Sequence, residues 1–475
     1  MAVVTRQFIN QLIKDTDNTF NTGLYIGLGR SSPWPGVGDI PEQPRQDFEY
    51  GRSARSACQH VKIATGVSAA VTRQDWSSDT IYPSYDDNNQ TVLPYVMNSN
   101  YEVFLCIQQG VNAAGVVQDS TVEPTVAALN SGAGYINNPI EANENELETA
   151  DAFCETGYIW RHLFTLSQVA INRFLTLNYM PVTTFTIDPS DGDVQTQQYQ
   201  IQQLGSNQPN PGSTDGTAGQ ILTIKVDDGG AGYSSSGPTA TILGNGTGAT
   251  ATVDTVGGVI KYVRITNFGK DYDFASIALD DSQTPTEDAT LRAVIGPRAG
   301  VETDPVNTLR ANSIIVTTDF ENDEFDTLLT ENDFRQVLLI RDPSKYNSSD
   351  AFTGNTSKAN RALQTISVTG SVVEDNEITG GNSNAKGILD FYDAATNNLY
   401  YHQTPETGYG TFQQGETVTQ STSQFVLSGT VSSSPANQTD PAIDIFSGEL
   451  LYIDNISPIQ RDINQTEDIK IVITF

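Results

Sequence analysis

The chain has 475 residues, enough for two or three cores at roughly 100–200 residues each, and sets 25 Lys and Arg against 57 Asp and Glu, a net charge of −32. Phosphate backbones are bound chiefly through Lys and Arg, so nucleic acid and anionic membranes are poor partners for this surface, whose acidity by itself favours solubility. Three cysteines, Cys58, Cys106 and Cys154, are odd in number and form no CxxC pair, which excludes a disulfide framework and fits free thiols in a reducing compartment.

The opening "MAVVTRQFINQLIKDTDN" meets polar residues at once, so no signal peptide is expected. No stretch approaches the roughly 20 apolar residues of a membrane-spanning helix. Phe8, Ile9, Leu12 and Ile13 stand at helical spacing, with Asn18 or Asn21 as a stop, and this is the one well-marked helix. "IGLGRSSPWPG", Ile26 to Gly36, has the glycine spacing of a phosphate-cradling loop. Such a loop leads into a helix, however, and Pro33 and Pro35 forbid one. The stretch therefore reads as a strand entering a Gly-permitted turn, with Trp34 held between two prolines.

Further along, "YEVFLCIQ", "SIIVTTDF", "RQVLLIRD", "ELLYIDNI" and "IKIVITF" are short runs of β-branched and aromatic residues, punctuated by many of the 39 glycines and 21 prolines. The expected fold is mainly β: a β-sandwich core with a short N-terminal helix and two inserted small β modules. The core occupies residues 1–190, 301–362 and 439–475, and the modules 191–300 and 363–438. The first module holds an internal repeat. Gly219, Ile224, Val226, Gly230 and Tyr233 recur 39 positions later as Gly258, Val263, Ile265, Gly269 and Tyr272, and the copies continue into "TATIL" and "ASIAL". Two copies make a small module and exclude a long solenoid. Insertion into loops is tolerated because loop-closure entropy grows slowly with length. Ile469, Ile471, Ile473 and Phe475 alternate on one face of the closing strand, which is expected to belong to a core sheet.

Catalytic signatures are sparse. There are three histidines, His60, His162 and His402, and no GxSxG, HExxH or P-loop. His162 alternates with aromatic and aliphatic neighbours in "GYIWRHLFTL", as a strand histidine does. In the acidic run Asp319 to Phe334, Asp319, Glu321 and Asp323 match the first ligands of a calcium loop. The sixth position is Glu324 instead of glycine and the last is Thr330, so a solvated acidic loop is expected. No cofactor or metal site is expected, and composition alone leaves a carboxylate-pair glycosidase open.

Five motifs occur in a telling order: "GLGRSSPW", "VTRQDW" (Val71 to Trp76), "GYIWRHLFTL" (Gly157 to Leu166), "INRFLTLNYMPV" (Ile171 to Val182) and "GELLYIDNISPIQRDINQTEDIKIVITF" (Gly448 to Phe475). In that order they resemble the baseplate wedge subunit of T-even-like contractile-tailed bacteriophages, the eighth-gene product of that group. The likeness covers about residues 1–180, 312–340 and the C-terminal strands, and leaves out the two modules. It implies a non-enzymatic virion protein without cofactor, mainly β-sandwich, that forms a homodimer and binds other wedge proteins of the tail baseplate after assembly in the host cytoplasm. The residues it marks for fold or interface are Gly29, Arg30, Pro33, Trp34, Arg73, Asp75, Trp76, Gly157, Tyr158, Trp160, Asn172, Arg173, Gly448 and Glu449. The three tryptophans, all inside motifs, serve either as core of one sandwich or as interface anchors. The modules on their own suggest a different protein, a tail-fibre subunit that binds a receptor or carbohydrate.

Overall fold

The computed structural model describes residues 5–20, 23–89, 91–112, 116–126, 158–190, 194–205, 219–280, 284–324, 328, 333–413, 415–420, 429–430, 441–462 and 464–475. The fold is mainly β, built of several antiparallel sheets with a short N-terminal helix, Arg6–Phe20. The chain divides into two units: Met1–Asp15, Ser68–Ile315 and Val472–Phe475 form the first, and Thr16–Val67 with Val316–Ile471 the second. On the helix, Ile13 is buried and Ile9 half-buried, whereas Phe8 and Leu12 are exposed, so its buried line is narrower than the apolar spacing suggests.

The second unit contains a five-stranded sheet in the order Thr356–Lys358, Cys58–Ile63, Leu24–Gly29, Asp333–Arg341, Glu449–Gln460. Leu24–Gly29 is buried throughout and Asp333–Arg341 nearly so. Their near-continuous apolar runs, in place of strict alternation, reflect covering on both faces. Tyr25, Val61, Leu338, Ile340 and Ile443 form the core of this layer. Helix Phe48–Ser56 packs near it. Asp47 caps that helix, its side chain accepting from the Tyr50 N–H, a start signal that the sequence reading passed over. The second unit also holds a six-stranded sheet in the order Arg361–Gln364, Asn398–His402, Lys386–Asp393, Glu377–Gly380, Thr417–Gln420, Gly429–Thr430, with its own core of Leu363, Ile378, Leu389, Leu399 and Val418.

In the first unit a three-stranded sheet, Tyr95–Met97, Glu102–Gln108 and Ile159–Thr165, carries the aromatic core. The repeat of the same unit is interlocked. Strand Ile221–Asp228 of the first copy pairs with Thr290–Ile295 of the second, and Val259–Lys270 of the second copy pairs with Thr247–Val256 of the first. The middle strands, Ala240–Gly244 and Ala275–Leu279, pair with each other. The turn tyrosines close the exchange: the Tyr272 N–H donates to the Gly219 carbonyl and the Tyr233 N–H to the Gly258 carbonyl, both at 3.0 Å. Gly219 and Gly230 have positive φ, and a Cβ on either meets backbone atoms within 2.7 Å, so the turns require glycine.

Closing strand Thr466–Thr474 is the outer member of a sheet with Ser313–Glu321, Gly66–Thr72 and Tyr179–Val182, and the Phe475 N–H donates to the Asn312 carbonyl. Ile471 is buried, while Phe475 is 44% exposed. The alternation thus marks a paired strand whose last residue lies outside the core.

Because each copy of the repeat supplies the partner strand of the other, neither ladder survives with one copy. Deleting residues 258–296 is expected to leave the rest of the module unfolded, seen as protease cleavage between residues 219 and 257 while the second unit stays resistant. A protease-resistant single copy would contradict the interlocking.

Candidate functional site

The first motif enters as a strand and leaves as a pinned turn. A Cβ on Gly29 meets the Ala57 carbonyl oxygen at 2.4 Å and the Cys58 Cα at 2.7 Å, so the backbone of Leu24–Gly29 approaches its neighbour at a bulge that only glycine fits. Arg30 follows with φ of 55°, its guanidinium 4.1 Å from the Trp34 ring centroid and donating to the Pro33 carbonyl. Trp34 is buried; its N–H is taken by Asp39 at 2.6 Å and its indole Nε1 donates to the Ile456 carbonyl at 3.1 Å, inside the last motif. Arg335 secures the same turn by donating to the Ser31 carbonyl, to Asp39 (2.8 Å) and to Asp333 (2.8 Å). At the head of the last motif Gly448 has φ of 67° with a virtual Cβ 2.4 Å from the Arg341 carbonyl oxygen, and Glu449 pairs with the Arg341 guanidinium at 2.9 Å. Gly29 therefore serves close backbone packing, Gly27 leaves room for the Cys58 thiol, and the prolines and Trp34 serve a fixed turn.

The three middle motifs meet within the first unit. Arg73 donates to both oxygens of Asp75 (2.8 and 3.1 Å) and to the Thr176 carbonyl, and its N–H goes to the Asn178 carbonyl, joining the second motif to the fourth. Trp76 is half-buried and donates from Nε1 to Ser120. It packs with Trp160, which stacks on Tyr158 (5.7 Å between centroids) and meets Tyr82 edge-on. The tryptophans are thus not the core of one sandwich: Trp76 and Trp160 share one cluster, and Trp34 belongs to the other unit. Asn172 and Arg173 lie exposed on helix Gln168–Phe174, where Asn172 accepts from Gln168 at 2.8 Å and Arg173 suits the C-terminal end of the helix dipole. Gly157 and Cys154 lie outside the described residues.

A buried polar cluster in the second unit is marked by no motif of the sequence. Asp390, fully buried, accepts from Ser31 (3.3 Å), Gln59 (3.3 Å) and Asn360 (3.2 Å) and faces His402 Nδ1 at 2.6 Å. Burial by itself lowers the His402 pKa, but the charge and hydrogen bond of Asp390, with the charge of Asp375, outweigh it and raise the value above normal. Asp375 is raised by burial and by the like charge of Asp390. A cleft of about 410 Å³ opens at His402, between Tyr401, Arg361 and Tyr409. Ser, His and Asp are all present, yet Ser31 donates to the carboxylate and not to the imidazole, so the nucleophile–base bond of an acyl-transfer triad is not made. What this arrangement does is hold a His–Asp pair that ties the signature turn to the six-stranded sheet.

Burial lowers the pKa of His162 to about 4, and Nε2 meets Thr165 at 3.1 Å; His60 Nε2 meets Thr356 at 3.0 Å. Cys58 and Cys106 are buried free thiols, both raised by burial, Cys58 to about 12. In the acidic run Glu324 is buried on Lys62 (2.8 Å), which corrects the expectation of a wholly solvated loop. Among the described residues no three His, Cys, Asp or Glu side chains are grouped to hold a metal ion, and no helix is long and apolar enough to cross a membrane. No protein-family model matches the chain, and no curated protein is significantly similar to it.

Two outcomes are expected. Gly29→Ala destabilises the second unit by at least about 2 kcal/mol in urea unfolding, because the clash is with backbone that has nowhere to move. His402→Gln costs about 3–5 kcal/mol at pH 6 by leaving a buried carboxylate without its cation. The folded state holds the His402 proton more tightly than the unfolded chain. That stabilisation is complete below about pH 6.5 and is lost as pH rises through the folded pKa, so the gap between wild type and H402Q narrows toward pH 9.

Proposed function

We propose that this chain is a structural virion protein, a wedge subunit of a contractile phage tail baseplate, which acts through protein–protein contacts and catalyses nothing. The carrying observation is that the motifs behind the family likeness close on one another within each unit. The first meets the last through the Trp34 indole and the Ile456 carbonyl; the second meets the fourth through Arg73 and Thr176. Residues matched by chance along 475 positions have no reason to be hydrogen-bond partners, whereas residues that specify a shared fold do.

The chemistry of the candidate site supports the same reading. Its charged groups are spent on fixing turns: Arg335 on the Ser31 carbonyl, Asp390 on three donors and a histidine. A baseplate component has to present preformed surfaces to its neighbours, and turns held in this way lose little entropy on docking. An acidic surface keeps the unassembled subunit soluble in the host cytoplasm.

Sedimentation equilibrium of the purified chain is expected to give a dimer mass, and co-expression with the neighbouring tail proteins a stable complex of higher mass. A trimer that binds glycans or labels host cells would replace this reading with the tail-fibre alternative.

A further inference from the structure

Strand Glu449–Gln460 is the last member of the five-stranded sheet, and among the described residues no further strand pairs with its outer edge. Beyond the sheet, no backbone group among the described residues pairs with it. Its far half is closed: Trp34 occupies the Ile456 carbonyl, and Pro458 has no N–H to offer. The near half, Leu450 to Ile453, lines a groove of about 850 Å³ whose other wall is helix Phe48–Ser56.

Two properties set this groove apart. Its large apolar side chains face solvent: Phe48 is 81% exposed, Phe446 47% and Leu451 37%. Its charge is inverted. In a chain of net charge −32 the charged lining residues are Arg45, Arg52 and Arg55 against Asp47 alone. Arg55 is committed to the carbonyls of Ile445 and Ser447, and Arg45 to Asp47 at 3.2 Å. Arg52 lies over the Phe48 ring, 4.9 Å from its centroid, with no carboxylate of the described residues within ion-pair distance. An open strand edge, an apolar seat and an uncommitted guanidinium side by side are what an added strand requires: main-chain hydrogen bonds for affinity, a pocket and a charge for selection.

We propose that this groove docks an extended acidic segment of a partner protein. The segment adds as a strand to the near half of Glu449–Gln460, seats an apolar side chain against Phe48, Phe446 and Leu451, and sets a carboxylate on Arg52. A nucleic acid is a poorer occupant, since phosphates meet one uncommitted arginine here and the acidic field of the rest of the chain. A second copy is also poorer: a two-fold contact through this groove places Arg52 against Arg52.

The test uses the full chain and a fluorescein-labelled peptide of about ten residues alternating aspartate or glutamate with valine and phenylalanine, matching a typical strand length. Fluorescence anisotropy is expected to show saturable binding, weakened about tenfold or more by Arg52→Glu with Arg45→Glu. Both side chains are exposed, so this variant should keep the wild-type melting temperature. Methylating alternate backbone nitrogens of the peptide, on the side that meets the strand, abolishes binding, as does replacing its acids by lysine. The proposal is overturned by absence of binding, by equal binding of the lysine or N-methylated peptide, or by an R45E/R52E variant that binds undiminished. A variant whose native mass falls from dimer to monomer assigns the groove to a second copy instead and equally overturns it.

Discussion

A guanidinium out of water is tolerable only when its N–H groups are taken, and much of this chain's order follows from that requirement. Arg161, Arg335 and Arg461 are all buried. Arg161 donates to Gln220 and Glu302, and so fixes the third motif to the start of the interlocked repeat and to the segment after it. Arg335 gathers Ser31, Asp39 and Asp333 around the signature turn. Arg461 takes the carbonyls of Asn322 and Gln465 where two strands turn. Long connections between strands carry carbonyls that no ladder pairs, and a rigid planar fork satisfies several of them from one position.

Legibility in the sequence tracks how local each signal is. Runs of β-branched residues announced the strands, since pleated surfaces select them residue by residue. The repeat was visible because its glycines sit where φ is positive and its tyrosines close the turns, both set by short-range geometry. The exchange of strands between copies was not visible, because a copy paired with itself has the same pattern. Helix Phe48–Ser56 was missed for lack of an apolar stripe: only Ala54 of its residues is buried, and its capping Asp47 is a single residue. The Asp390 cluster brings together Ser31, Gln59, Asn360 and His402 from distant parts of the chain, and no spacing rule connects them. The tryptophans show the limit of residue type as a guide. All three are shielded from water in part or whole, yet chemistry did not say that they belong to two cores.

The motifs act as a set of locks. Their polar members fix turns and their aromatic members fill cores, while the exposed features, the groove beside Phe48 and the residues Asn172 and Arg173, lie just outside. Rigid turns keep the outer surface in one shape.

The interlocked repeat also has a mechanical side. Its first and last strands are antiparallel partners, Ile221 opposite Ile295, and the Gly296 N–H donates to the Gln220 carbonyl at 2.8 Å, so the chain enters and leaves at one point. Tension applied to the backbone on either side pulls those two ends apart and peels the ladder one hydrogen bond at a time, instead of loading all of them in shear. Such a module lengthens by unzipping from its paired ends, and on release the same ladder can close again in register from the strands nearest the turns.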